Sequence, residues 1–449
     1  MNKIKYFWTV LKIFGSLGVV FSAVFLALAY GWLGIHDGPG IITQRPIPKE
    51  IISQRTAKQL NSANSVGQDG AQQILFGDLH AHTTLSFDAF IGSLPMMHGE
   101  GSRPLADACD FARFCSALDF WSINDHAEAS TPRRWSETVE SIQQCNAVGG
   151  NGQNPDTVAF LGWEWTQVGA TPETHYGHKN VIFRDIETKN VPSRPIHSGG
   201  IANTALRGLP LRNGPLLFAL DPNQRMLDFN LYLHELRQSE ECEKGKNVWD
   251  LPNNCRESAE TPSELFSKLD EWGFESMVIP HGTTWGFYTP PGSEFNKQLS
   301  GDLHDPDRQT LLEVFSGHGN SEEYRSFRAI EMNDAQQPIC PKPTENYLPS
   351  CHRAGQIIEE RCLEAGESQE ECSIRAATAR QDYVNVGTAG HYTVRGENPE
   401  DWLDSGQCKD CYLPAFNYRP GGAAQYIMAL TNFDDPENPR RFRFGFMAS

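Results

Sequence analysis

The chain has 449 residues, 39% of them hydrophobic and 21% charged, which is ordinary for a folded globular protein and argues against wholesale disorder. Its 38 basic and 56 acidic side chains leave a net charge of -18. No basic face is evident, so nucleic acid is excluded as the main ligand, whereas a small phosphorylated substrate stays open because bound divalent metals can supply positive charge.

Lys3, Lys5 and Lys12 precede a charge-free apolar run from Ile13 to Gly34, long enough to cross a bilayer. Residues 1–34 are therefore expected to be a membrane anchor or a signal peptide cut after Ala27-Leu28-Ala29, with the body exported and the lysine-rich end inside. The run is long for a cleaved segment, which favours the anchor. From 35 to 70 the composition turns to Pro, Gln, Ser and Asn with little periodicity and predicts a flexible linker.

Ile74, Leu75 and Phe76 predict the buried body of a strand, and Gly77 lets the backbone pass close to a neighbour. His80 and His82 follow two apart. In an extended chain this spacing puts both imidazoles on one face, where they can converge on a cation, with Asp78 and Asp88 as supporting carboxylates. Pro104 opens a predicted helix with apolar positions Leu105, Ala108, Phe111, Ala112, Cys115 and Leu118, and it feeds an apolar strand ending in Asp125 and His126. Val158 to Leu161 predicts another strand, leading to Glu164 between Trp163 and Trp165. His175, His178 and Asn180 then stand just ahead of a strand at Val181-Ile-Phe. The sequence from Arg184 to Arg256 carries no assignable pattern. Thr261-Pro-Ser-Glu264 is a capping box, Leu265, Phe266, Leu269 and Trp272 form the buried face of the helix it starts, and Gly273 ends that helix. Met277 to His281 and Leu311 to Phe315 are further apolar strands, the second leading to His318 and Glu322.

Helix alternating with strand predicts an α/β domain over 71–449 with a largely parallel sheet, and polar groups gathered at strand C-termini mark that end as the site. An insertion at about 338–382 is Cys-rich, then charged and helical from Gln356 to Arg380. The 11 cysteines suit an oxidising compartment, with short loops pairing Cys242 with Cys255, Cys340 with Cys351, Cys362 with Cys372 and Cys408 with Cys411. The odd count leaves at least one free thiol, expected among Cys109, Cys115 and Cys145. His197, His234, His304, His352 and His391 read as structural or surface histidines.

Gly-Asp-Leu-His80-Ala-His82-Thr, Asn-Asp125-His126, Gly-Trp-Glu164 and Ile-Pro-His281, in that order, resemble the polymerase and histidinol phosphatase (PHP) superfamily of metal-dependent hydrolases. The contexts Asp-Phe-Trp-Ser-Ile-Asn-Asp-His-Ala-Glu and Glu-Val-Phe-Ser-x-His-Gly-Asn-Ser-Glu are similar to an exported branch known mostly as a domain of unknown function. The resemblance implies a distorted (β/α)7 barrel holding two or three divalent ions, Zn, Mn or Fe, at the strand C-termini. It implies His80, His82, His126, Glu164, His178 or His175, and His281 as metal ligands, with Glu164 bridging and Asp88 where related proteins often place a histidine. His126 and Glu164 are the expected catalytic pair, and Asp125, His175, Glu313, His318 and Glu322 are expected to line the pocket. The family's closing Ser-Asp-x-His would follow the apolar stretch Phe442–Ser449, so the barrel is expected to be incomplete at the C-terminus. The implied activity is hydrolysis of a small-molecule phosphoester in the periplasm. The alternatives are a sulfate ester, phosphonate or amide hydrolase on the same scaffold, and an exported binding protein without turnover.

Overall fold

The computed structural model describes residues 2–35, 38–67, 74–92, 103–150, 155–208, 214–286, 288–290, 293–316, 319–321, 330–335, 337–345, 347–396, 398–402, 405–406, 420–424 and 444–448. They form a mixed α/β structure in two compact units. Unit 1 comprises Met1–Thr166, Val181–Glu260 and Ser267–Ser276, and unit 2 comprises Gln167–Asn180, Thr261–Phe266 and Met277–Ser449. The chain thus passes between units several times, where the sequence suggested one domain.

Unit 1 begins with helix α1 (Asn2–Ala29), which is long and apolar enough to cross a membrane over Ile4–Ala29. The stretch expected to be a linker instead carries helix α2 (Lys49–Ser65). This helix has few apolar positions and is held by polar contacts: Arg55 donates to the carbonyls of Asp156 and Pro155, and Gln59 to Asp119. Upstream, Thr43 donates to Asp110 and its carbonyl accepts from Arg113. Linker-like composition here reflects a segment whose partners lie far away in sequence.

Strand β1 (Gly77–Ala81) starts only after the predicted apolar body, and Leu75 and Phe76 are exposed. Gly77 does allow a close approach, because a Cβ there would lie 2.3 Å from the Phe120 ring and 2.4 Å from the Phe120 carbonyl oxygen. A short helix α3 (Phe87–Gly92) follows the β1 turn, and Pro104 caps α4 (Leu105–Asp110). The helix then widens into a π turn, Phe111–Cys115, which rotates Phe111 and Cys115 outward and Arg113 inward. Arg113 is buried there against Asp156 at 2.9 Å.

Strand β2 (Phe120–Ile123) pairs in parallel with β1 and with β3 (Val158–Gln167). Between them runs α5 (Pro132–Gly149), with Thr131 capping its N-terminus and Trp135, Val139, Ile142 and Cys145 on its buried face. A disulfide joins Cys145 to Cys109, and Cys115 is the free cysteine among the described residues.

β4 is Gly177–Phe183, longer than the predicted Val181-Ile-Phe, so His178 lies inside the strand at its N-terminal end. The connection 168–176 is too short for a crossover, so β4 returns antiparallel to β3, and His178 departs from the strand C-terminus pattern.

The unassigned region holds β5 (Ile196–His197), α6 (Ile201–Gly208), α7 (Gly214–Leu220), α8 (Gln224–Gln238) and β6 (Glu257–Ser258), with β5 paired to β6. Asn223 caps α8, and its Met226, Phe229, Leu233 and Leu236 build a core with Phe90, Phe218 and Ala29. The Cys242–Cys255 disulfide closes the loop beyond it.

Helix α9 (Pro262–Trp272) begins at the predicted capping box, with the Thr261 hydroxyl accepting from Glu264 N at 3.2 Å, and Gly273 follows it with φ +72. β7 (Ser276–His281), which lies in unit 2 from Met277 onward, neighbours β4. β8 (Leu311–Ser316) pairs antiparallel with β9 (Gly319–Asn320), and β10 (Glu331–Met332) and β11 (Pro338–Ile339) form a separate ribbon. The insertion is a helical hairpin, α10 (Ser350–Glu364) and α11 (Gln369–Val386), clipped by Cys340–Cys351 and by Cys362–Cys372 across its turn. β12 (Gly445–Ala448) pairs in parallel with β8. Cys408, Cys411, His318 and Glu322 lie outside the described residues.

Candidate metal centre

Three strands of unit 1 deliver the first group of side chains. His80 comes from the C-terminal end of β1 and His82 from just beyond it, Asp125 and His126 from the residues after β2, and Glu164 from β3. A parallel bridge between His126 and Glu164 extends the sheet at this end, so both side chains are carried by paired backbone. Glu164 is 1% exposed between the fully buried Trp163 and Trp165, and Trp165 is fixed by donating to the Ala259 carbonyl.

His80 Nε2 and His82 Nε2 lie 3.0 Å apart, and each is 3.2 Å from Glu164 Oε2. A zinc-type ion sits about 2.0–2.1 Å from its N and O ligands, so two tetrahedral ligands are separated by roughly 3.3 Å. The triangle of donors therefore has the size a cation requires. Around it, His82 Nδ1 contacts the Ser86 hydroxyl at 2.7 Å, which fixes the ring and leaves Nε2 facing the triangle.

A second group shares His82 and adds Asp88 and His126. His126 Nε2 is 3.0 Å from Asp88 Oδ2, while its Nδ1 contacts the Thr166 hydroxyl and lies 3.4 Å from Glu164 Oε1. Glu164 thus presents Oε2 to His80 and His82, while its Oε1 accepts from the Thr166 hydroxyl at 3.2 Å beside His126 Nδ1, so that Thr166 ties Glu164 to His126 and His82 is the residue the two groups share. Burial alone would lower the His126 pKa, but Asp88 and Glu164 outweigh it and raise it to about 10. Burial likewise pushes Asp88 up, yet His126 and His82 hold its carboxyl well below the usual range. The two opposite shifts are those of an ion pair, His126 held protonated by the carboxylates beside it and Asp88 held ionised by the imidazoles beside it.

Asp125 is not part of either triangle. Its carboxylate accepts from Thr83 N and from the Thr83 hydroxyl, both at 2.6 Å, and so anchors the turn that carries His82. Burial raises its pKa despite those bonds.

Unit 2 carries its own group. The His178 and His281 rings are 5.3 Å apart, Tyr288 stacks on His178 at 4.0 Å, and Glu313 Oε2 is 3.9 Å from His281 Nδ1. His178, His281 and Glu313 are all buried. His175 is committed elsewhere: its Nδ1 accepts from Gly169 N, so Nε2 donates to the Gly282 carbonyl at 3.0 Å. Burial holds it neutral, with a pKa lowered to about 4. Of the two histidines left open by the sequence, the structure makes His175 a loop clamp and leaves His178 as the candidate ligand.

Thr83, Ser86 and Thr166 escaped sequence reasoning, because a hydroxyl that orients a ligand has no spacing rule of its own. The signal for two of them was their position in the turn just after His82. The buried His, Glu and Asp groups can hold metal ions. No family model matches the chain, and no curated protein or solved structure matches it either.

Proposed function

We propose that the chain is an exported, membrane-anchored, metal-dependent hydrolase of small-molecule phosphoesters, on a barrel of the PHP type. The observation that carries this reading is the pair of donor groups that share His82, three imidazoles and two carboxylates of unit 1, with Glu164 and His126 buried and His80, His82 and Asp88 partly exposed. The donor set suits Zn, Mn or Fe better than Mg, which prefers oxygen. Two or three such ions neutralise charge on phosphoester oxygens and acidify water near neutral pH. The chain's own residues orient the donors: Ser86 holds His82, Thr166 holds His126, and Asp125 holds the turn between the first and second strands. His178 and His281 are the further ligands the resemblance implies, in unit 2.

The same reading places the body outside the cytoplasm. Four disulfides suit an oxidising compartment. The last turn of α1 belongs to the unit 1 core: Ala29 is 1% exposed, and Phe25 and Leu28 pack against the same cluster as Phe218 and Tyr232. Cleavage after Ala29 would strip all three from the core, which favours the anchor over the signal peptide.

The test is metal analysis of the full chain purified in detergent, beside a His80→Ala, His82→Ala double variant, followed by turnover assays on phosphate mono- and diesters. Loss of metal from the variant and phosphoester turnover by the parent are expected. Equal metal content in both would remove the basis for a hydrolase. Turnover confined to sulfate, phosphonate or amide substrates would move the reading to that chemistry, and retained metal without any turnover to a binding protein.

A further inference from the structure

Helix α1 is 28 residues long, about 42 Å at 1.5 Å per residue, which exceeds the roughly 30 Å hydrocarbon core of a bilayer. Tyr6, Phe7 and Trp8 are exposed near its lysine-bearing end, and Tyr30 stacks on the exposed Trp32 just past its other end. Aromatic residues at both ends of an apolar span mark the two membrane interfaces. The spanning helix Ile4–Ala29 includes Lys12, whose long stem lets the ammonium reach back to the inner headgroups, and counting 20 residues from Tyr6, about 30 Å, brings the outer boundary of the hydrocarbon to Phe25.

At that level α1 meets the body. Phe25 packs on Phe218 of α7 with ring centroids 5.5 Å apart. α7 turns Phe218 inward and leaves Leu216 63% and Leu220 70% exposed. The segment leaving α1 follows α8: a Cβ at Gly31 would meet the Asn230 carbonyl at 2.4 Å, and Gln224 donates to the Ile35 carbonyl. It exposes Trp32, Leu33 and Ile35 along the way. Two large apolar side chains on a short helix, beside three more on the chain leaving the membrane, are poorly placed for water and well placed for the boundary between headgroups and acyl chains.

We propose that Leu216 and Leu220 of α7, with Trp32, Leu33 and Ile35, form a platform that sits in the outer interface of the bilayer crossed by α1, so that unit 1 rests on the lipid surface. The proposal depends on α1 spanning the membrane. The occupant is the phospholipid interface, and the argument for it is continuity: the platform is packed on the same turn of α1 that reaches the boundary.

The experiment uses the full chain in phosphatidylcholine nanodiscs containing lipids with a nitroxide near the headgroup. An environment-sensitive fluorophore is attached at Leu216→Cys, Leu220→Cys, Val20→Cys within α1, or Arg184→Cys at an exposed site of unit 1, each corrected for labelling of the unsubstituted chain and checked for an unchanged melting temperature. Quenching at Leu216 and Leu220 several-fold above that at Arg184 is expected. Quenching at Val20 with Leu216 and Leu220 no different from Arg184 overturns the platform while leaving the anchor standing. No quenching at Val20 overturns the anchor and the platform together. Protection of Leu216 and Leu220 from aqueous iodide without lipid quenching also overturns it, since a protein then covers the face.

Discussion

Replacing Asp125 with alanine removes a carboxylate that touches no proposed metal yet governs where His82 points. Two bonds at 2.6 Å tie it to the backbone and side chain of Thr83. Hydrogen bonds to a charged acceptor contribute about 1.5–3 kcal/mol each, and loss of the acceptor leaves a buried N–H without a partner. Burial already disfavours the Asp125 carboxylate, so the lower end applies and the pair contributes about 3 kcal/mol. That loss loosens the turn from His82 to Ser86, and residues that orient metal ligands typically change affinity by about 10- to 100-fold. Chelator competition on the metal-free full chain, loaded with zinc, would read this directly. Asp125→Asn, which keeps one acceptor for Thr83 N, should fall between the parent and the alanine variant. In a double-mutant cycle with Thr83→Val the two changes should couple by more than about 0.5 kcal/mol. Zinc affinity within twofold of the parent in Asp125→Ala, or a cycle without coupling, would refute the positioning role.

Gly77→Ala should lower both the melting temperature and metal content, because the new methyl group meets the Phe120 carbonyl oxygen at 2.4 Å and must push β1, with His80, away from β2; overpacking of this kind costs about 1–3 kcal/mol. Adding Phe120→Ala should not restore the protein, since the obstructing carbonyl is backbone, and full recovery would show the ring alone was responsible. Opening the Cys109–Cys145 bridge with a double alanine variant releases a loop of sequence separation 36 and should destabilise by roughly 4 kcal/mol, read by calorimetry; a change below about 1 kcal/mol would contradict the loop-entropy account. Glu241 pairs with His197 at 2.8 Å, Arg256 at 2.8 Å and Arg207 at 2.5 Å. Burial pushes its pKa up, but these partners bring it down to about 2. Its contribution is therefore complete above the unfolded value of about 4.3 and is lost as pH falls toward 2. Melting temperatures of the parent should drop more steeply than those of Glu241→Gln over that window, and parallel curves would exclude the linkage.

Local rules carried the reading where a segment's partners are its own neighbours. The capping box at Thr261 and three short disulfide loops are set by contacts within a short stretch of chain, and the strand tips at His80, His126 and His281 stand out because each follows a legible apolar run. The same rules failed from Arg184 to Arg256. There α8 carried a legible cap at Asn223 and a periodic face of Met226, Phe229, Leu233 and Leu236, obscured by the polar residues around it. They failed again at Leu75 and Phe76, because an apolar run does not say which side will be covered.

What the sequence by itself determined is the chemistry: which donors the chain owns, their order, and the extended spacing that aims His80 and His82 the same way. Tertiary structure decided which of them act together. His175 and His178 are indistinguishable in sequence, yet the Gly169 amide and Gly282 carbonyl claim both nitrogens of one and leave the other beside His281. Glu164 reaches His80, His82 and His126 only because β1, β2 and β3 lie side by side. Residue type sets what an atom can bind, but distances between residues far apart in the chain are set by packing, and coordination depends on distance.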